Sequence, residues 1–586
     1  MAEVRIMVCA CIQELAKLRK SSIEAVDNTE TFDSFKKYMH VSREIEDQLK
    51  EIIKSANAEL NKCLIMLGGS TGDGKSHLIS YLKNADEENL LADYETYNDS
   101  TESDEPSLEF LEALAKQLEE FNDDNLDNGS SVKMIIAINL GIIGKLFDSE
   151  EGKNFTRLKD YVENNQILSS YSNEIGYKSG SIFQHISFAD YQIFGISESG
   201  VYTEYLEKLL DKVFDIDEDG NEFYKTINNC VCGQKNKCPV FHNYQLLQDK
   251  KIQKYIINRI IQIVIEDKAI MSTRDVLNLL YDILVSENFS KQALIDDFSD
   301  ETKYLMDYIS WSAPTLINEY ADISEKLRLL RQHDVFRYRT EEVDNRTMKF
   351  HSMENIEQEF RQGTKGTPYE QLADTTSIAV FGGIKPELKK QVYKFLIRLE
   401  DMNGGSVGNE HSSILDEYVK NIFYQCTGNE RKLAKFFDLA QNAILTWDGN
   451  FGDETICIDE SNDMYWILEA LMIENASLGV RPSSDEVLYR FSPELRVRFK
   501  SQFIAEQDAL ETSVDFSLFE LLCAMKNGYK PNVKDKNLHT DFISYIKRLT
   551  DLGNKGRRVI IQSKSGDMKR RYSFEKTTAG YKFKVI

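Results

Sequence analysis

The chain has 586 residues, 41% of them hydrophobic and 28% charged, with a formal net charge of −25. That length exceeds what one hydrophobic core supports, so three or four domains are expected, in an ordinary globular composition. The charge excludes a protein that coats DNA over its whole surface, because phosphate attraction needs a basic footprint. The longest apolar stretch, around 134–143, is too short to span a bilayer and is interrupted by Asn139, so no membrane association is expected. "VRIMVCACI" near the start runs into charged helical sequence without a cleavage pattern, and the expected location is cytoplasmic.

Residues 1–60 read as an N-terminal helical segment, with apolar residues at helical spacing at Ile45, Leu49, Ile52 and Ile53. "CLIMLGG" (63–69) is a short continuous apolar run ending in glycines, as in a buried parallel strand. A helix follows from Lys75 to about Lys83. "LLADYETYND" reads as a strand, and a helix then carries Leu108, Leu111 and Leu118 on one face. "KMIIAINLG" (133–141) is a second buried strand, and "SIFQHISFAD" (181–190) a third candidate. Strands alternating with helices imply a parallel sheet, so 61–290 is read as an α/β domain with a cysteine-rich insertion near 228–243.

Beyond Tyr255 the pattern turns helical. The polar loops "RQGTKGTP" (361–368) and "MNGGSVGNEHSS" (402–413) are the expected boundaries, giving a helical or mixed domain 291–405 and a helical domain 406–510. The last segment, 511–586, shows helices near 515–526 and 539–552, then short strands near 558–563, 570–574 and 581–585. Helices followed by a β-ribbon suggest an α+β, winged-helix-like end.

"GSTGDGKS" (69–76) satisfies G-x-x-x-x-G-K-[ST] in full. Gly69, Gly72 and Gly74 let the backbone curl so that successive N–H groups face phosphate oxygens. Lys75 reaches the β- and γ-phosphates, the Ser76 hydroxyl suits magnesium, and the following helix adds its positive end. Gly69, Thr71, Gly72, Asp73, Gly74, Lys75, Ser76 and His77 are therefore the expected binding residues for ATP with magnesium, in a P-loop NTPase core.

A hydrolysing site also needs an acidic residue at a neighbouring strand end. "YETYNDSTES" offers Asp99, with Glu102 behind it. Carboxylates there also suit the start of the helix entered at Pro106, and both roles stay open. "MIIAIN" ends in Asn139, which resembles the γ-phosphate sensor of AAA+ ATPases; a strand-ending turn residue is the alternative. Asp190 is a third acidic candidate. Arg274, at a helix start, would reach the γ-phosphate or lie on the surface. Lys75, Asp99 and Asn139 form the expected catalytic set.

"CVCGQKNKCPVFH" places Cys230, Cys232, Cys238 and His242 within thirteen residues, a ligand set of the kind that holds structural zinc, though the spacing departs from the common C-x₂-C start. Buried thiols are the alternative. From Asp551 to Ile586 ten Lys/Arg face three Asp/Glu, with aromatics at alternate positions. Arg557, Arg558, Arg570 and Arg571 are expected to touch DNA phosphates or an acidic partner, unless the lysines only guard a ribbon edge. No clustered carboxylates suggest a nuclease centre.

Together these segments resemble the DptF (DndF) family of DNA phosphorothioation-dependent restriction proteins. The resemblance rests on "SSIEAV", "FKKYMHVSREIE", "LGGSTGDGKSHLISYL", "YNDSTES", "IAINLG", "CPVFHNYQLL", "STRDVLNLLYDIL", "GNERKLAKFFDLAQNAILTWDGN", "RFSPELRVRF" and "GYKPNVKD", in that order over about 20–586. It implies a nucleotide-driven subunit of an anti-phage complex that acts on DNA lacking the phosphorothioate mark, alongside DptG- and DptH-like partners. It carries nucleotide binding onto Gly69, Gly74, Lys75 and Ser76. A non-hydrolysing, ATP-stabilised scaffold is the alternative of a different class, and a small-molecule or polynucleotide kinase a third.

Overall fold

A computed structural model describes residues 9–19, 34–70, 72–98, 108–168, 176–231, 233–289, 301–319, 324–337, 341–376, 378–382, 384–404, 409–452, 455–459, 464–479, 482–501, 505–553, 558–564 and 571–586. The chain forms two compact units. Unit 1 is Met1–Gly195, Thr203–Ile263 and Ile270–Asn409; unit 2 is Ile196–Tyr202, Val264–Ala269 and Glu410–Ile586.

Unit 1 is built on a four-stranded parallel sheet of β1 (Cys63–Gly68), β2 (Tyr94–Asn98), β3 (Lys133–Ile138) and β4 (Phe183–Ser187), in the order β2-β3-β1-β4. Every residue of β1 and β4 is buried, which is why β1 reads as an unbroken apolar run rather than an alternating one, while β4 also buries Gln184, His185 and Ser187. Leu64, Met66, Ile136 and Ile138 pack on one face with Leu114, Ile142, Leu146 and Leu158. Those partners come from helices Leu108–Gln117, Leu140–Asp148 and Thr156–Asn164. Helices Glu44–Glu59 and Lys75–Asn84 lie against β4 and β3. The first of them buries Ile45, Leu49, Ile52 and Ile53, the face that the helical spacing marks out.

Gly68 pairs with both Ile138 and Ser187, so β1, β3 and β4 end at one level. The chain leaves β1 for β2 on one side and returns past β1 to β4 on the other. That reversal makes the C-terminal edge of β1 a switch point, where open parallel sheets leave a crevice.

The rest of unit 1 is helical and centred on Pro386–Met402, which packs with Glu301–Ser310, Ala313–Glu319, Glu341–Ser352 and Glu357–Thr364. Its Arg398 is buried, and the charge is met by Asp334 at 2.5 Å and Glu319 at 2.9 Å. A Cβ on Gly363, in helix Glu357–Thr364, would come within 2.8 Å of Leu396, so that glycine serves close helix packing and not a linker. The change of unit falls at 409.

Unit 2 departs from the helical reading of 406–510. Helices Asn409–Cys426 and Glu430–Thr446 do open it. Strands then take over: β7 (Thr455–Asp459), β8 (Tyr465–Ala470), β9 (Ile473–Asn475), β10 (Val487–Leu488), β11 (Leu495–Ser501) and β12 (Leu510–Val514). β10 pairs with β5 (Gly195–Ser197), itself beside β6 (Gly200–Tyr202). β11 lies between β12 and β9. "LRVRFKS" alternates buried and half-buried along β11, a period of two that the helical reading overlooked.

Helices Phe516–Lys526, Val533–Leu538 and Thr540–Gly553 precede β13 (Arg558–Ser563), β14 (Arg571–Thr577) and β15 (Gly580–Val585). These last strands join β8 and β7 in one antiparallel sheet, β15-β14-β13-β8-β7. The ribbon is thus the outer part of a five-stranded sheet. Among the described residues no helix is long and apolar enough to cross a membrane.

Candidate nucleotide-binding site

The loop after β1 turns on three glycines with positive φ, Gly69 (149°), Gly72 (89°) and Gly74 (104°). Each serves a different need. A Cβ on Gly69 would approach Asp73 Oδ2 and Phe188 Cβ at about 3 Å; one on Gly72 would meet the Arg274 side chain at 3.0 Å. A Cβ on Gly74 would meet nothing within 4 Å, so only its left-handed backbone requires glycine there.

Gly74 is also the N-cap of helix Lys75–Asn84, and no side chain caps that helix. Its first N–H groups and the positive end of its dipole therefore face the loop, the arrangement that binds phosphate. Lys75 Nζ spans the loop, donating to the carbonyls of Gly69 (2.8 Å) and Ser70 (2.7 Å). Asp73 is turned inward as a brace. Its Oδ2 accepts from the Ser70 N–H at 2.6 Å, and burial raises its carboxyl.

The Ser76 hydroxyl donates to Asn98 Oδ1 at 2.8 Å. Asn98 ends β2, two strands from β1, and its amide oxygen and the serine hydroxyl form a pair of hard oxygen donors suited to magnesium. The sequence reading passed over Asn98 for its neighbour. Asp99 lies outside the described residues, as do Glu102 and the loop residue Thr71.

Asn139 stands one residue past Ile138, the partner of Gly68 across the β1–β3 ladder, and so borders the loop. Its side-chain oxygen accepts from the Gly141 N–H at 3.0 Å and caps helix Leu140–Asp148. Asn139 therefore caps a helix at a position that also adjoins the site. Asp190 is half-buried in the 3-10 turn after β4, whose Phe188 borders Gly69.

Arg274 is drawn to the loop. Its N–H meets the Gly72 carbonyl at 3.4 Å, and its side chain packs where a Gly72 Cβ would stand. A capping box between Ser272 and Asp275 fixes the start of helix Thr273–Leu284 and hence this approach. A second arginine was not legible in the sequence. Arg43 donates to the Asp73 carbonyl at 3.3 Å, with its guanidinium over the rings of Phe188 (5.1 Å) and Tyr205 (5.3 Å).

His77 follows Ser76 and sits in a stack with His40 and Tyr81. His40 Nδ1 and His77 Nε2 are 3.1 Å apart, and the His40 ring lies 3.6 Å from that of Tyr81. Burial, with His40 adding to it, pushes the His77 imidazole down to about 4. On the far side His40 Nε2 meets Glu46 at 3.2 Å. Burial would raise that carboxyl, but the hydrogen bonds from His40 and Lys50 outweigh it and hold it low.

Among the described residues no group of three or more His, Cys, Asp or Glu could hold a metal. His242 is fully buried with Nδ1 against the Tyr308 hydroxyl, and Cys238 opens helix Pro239–Leu247. Cys11 is hydrogen-bonded to Cys9 and also interacts with Cys230; these, with burial, push its thiol up. Cys232 lies outside the described residues.

Of the C-terminal arginines, Arg557 and Arg570 lie outside the described residues. Arg558 is exposed and 3.4 Å from Glu575. Arg571 is half-buried and donates to Gln562 at 2.8 Å and to the Phe451 carbonyl.

Compared with known proteins, the chain matches no family model, no curated protein and no solved structure.

Proposed function

We propose that this chain is a P-loop, AAA+-like ATPase that serves as the nucleotide-driven component of a phosphorothioation-dependent DNA restriction complex. The observation that carries the nucleotide reading is the uncapped start of helix Lys75–Asn84 behind three left-handed glycines, with Lys75 across the loop. The sheet order supports it, because β3 and β4 flank β1 and bring Asn139 and Phe188 to the loop. The restriction role and the DptG- and DptH-like partners rest on the sequence resemblance alone.

In this reading the loop amides and Lys75 hold the β- and γ-phosphates, and Ser76 with Asn98 holds magnesium. The bound ion would neutralise phosphate charge. Arg274 would offset charge at the γ-phosphate, Asn139 would report its presence, and Asp99 would orient the attacking water. Arg43 positions the loop through Asp73.

One observation favours the alternative, a scaffold that binds ATP without hydrolysing it. The side chain facing Ser76 is an amide and not a carboxylate. Phosphate release from ATP, with and without duplex DNA and then with the partner subunits, decides between them. Turnover that vanishes in Lys75→Ala establishes the ATPase. Tight binding without turnover under every condition establishes the scaffold.

A further inference from the structure

The five-stranded sheet of unit 2 has an inner and an outer face. Trp466, Leu468, Ile560, Gln562 and Ser573 alternate onto the inner face, and Leu468, Ile560 and Trp466 pack with Phe451 and Cys457. By the same alternation Tyr572, Phe574 and Lys576 of β14 and Tyr581, Phe583 and Val585 of β15 point outward. Val559, Ile561, Ile467 and Glu469 continue that face across β13 and β8.

An antiparallel sheet with one packed face ordinarily turns polar residues to water. Here the outward face is aromatic. Phe574, Tyr581, Phe583 and Val585 are 39%, 67%, 58% and 72% exposed. The rings form two parallel stacks: Tyr572 with Phe583 (5.4 Å, 19°) and Phe574 with Tyr581 (5.1 Å, 10°). Exposed apolar surface of this kind marks a contact site.

Charge narrows the occupant. Residues 551–586 carry ten Lys/Arg and three Asp/Glu, a net +7 in a chain of −25. Lys576 stands on the aromatic face; Lys582 and Lys584 alternate onto the other side of β15, the fully exposed edge strand, and so stand at the rim of that face. A second copy would bring the same cations and be repelled. A duplex offers phosphates, but its bases are already stacked on one another and out of reach of the rings. Unpaired nucleotides offer both planar faces and phosphates. On β14 and β15 the described residues of that face offer a ribose 2′-hydroxyl only two tyrosine hydroxyls and Lys576, which favours DNA over RNA.

We propose that the outer face of β14 and β15 is a binding platform for single-stranded DNA, with bases stacking on Phe574, Tyr581 and Phe583 and phosphates at Lys576 and along the exposed edge of β15, where Lys582 and Lys584 stand. The inference stands apart from the nucleotide loop and needs no ATP.

The test is anisotropy of a fluorescein-labelled oligothymidylate with the full chain and no nucleotide, beside a duplex and an RNA of the same length. Phe583→Ala and Tyr581→Ala remove exposed side chains, so the fold, checked by circular dichroism, is expected to stand. Each should weaken single-strand binding by roughly five- to a hundredfold. Lys582→Gln with Lys584→Gln should flatten the logarithmic salt slope by about 1.4. Ring variants that bind as well as the parent, duplex or RNA bound as tightly as single-stranded DNA, or no oligonucleotide binding would each overturn the proposal. So would a dimer, seen by sedimentation, that Phe583→Ala dissolves.

Discussion

The parallel sheet of unit 1 and the five-stranded sheet of unit 2 spend their apolar residues differently. In the first, β1 and β4 are buried throughout, so no functional side chain can project from a face and the chemistry collects where the strands end. In the second, one face packs on Phe451 and the other carries Phe574, Tyr581 and Phe583 into solvent. A covered sheet makes its site from backbone at its edge; an open one makes it from side chains on its face. The two sites should therefore fail in different ways.

The largest expected effect is at the loop. Lys75→Ala should weaken ATP binding by on the order of a hundredfold, and Phe583→Ala should leave it unchanged, both read by titration with a fluorescent ATP analogue. A loss of ATP binding in Phe583→Ala would break the separation of the two sites.

Acid should act next, and mainly on unit 1. His77 and His242 are both pushed down to about 4, His242 chiefly by burial. A folded-state value below the unfolded one means that the unfolded chain takes up protons first. Stability should hold above about pH 6.5 and decline as pH falls toward 4, by up to roughly 3 kcal/mol per imidazole. Denaturant melts at stepped pH check this, and His77→Gln should make the decline shallower.

Smaller effects separate the residues around the loop. Arg274→Ala should lower turnover about tenfold or more while leaving ATP affinity within a few fold, if its charge acts late in the reaction. Gly72→Ala strains a backbone at φ 89° and pushes against the Arg274 side chain, so it should reduce turnover too, with about 1–3 kcal/mol of strain. The smallest change is Asn98→Ala. It leaves the Ser76 hydroxyl without that acceptor and should raise the magnesium needed for half-maximal binding by about five- to tenfold.

The same contrast explains what the sequence made legible. β1 and β3 were plain because burial on both faces leaves an unbroken apolar run, and the loop was plain because its glycines, lysine and serine are consecutive. Asn98 was not, since it meets Ser76 only through the β2-β3-β1 order, which no local pattern encodes. Arg43 reaches Asp73 from thirty residues upstream and gives no local sign either. In unit 2, β7 to β10 are short and partly polar, so the helical pattern on either side of 455–514 was extended across them. β11 was the exception that alternation could have caught. Cys230, Cys238 and His242 are close in sequence, but a buried helix turns His242 to Tyr308, and Cys230 interacts with Cys11 from the far N-terminal end.

The central claim is that the loop after β1 is a site for ATP with magnesium. Isothermal titration of the full chain with ATP tests it most directly, with and without magnesium, beside Lys75→Ala. The account predicts one site per chain, tighter with magnesium and lost in the variant while its circular dichroism spectrum is kept. Binding that is equal in Lys75→Ala, or no binding to the folded parent, would contradict it.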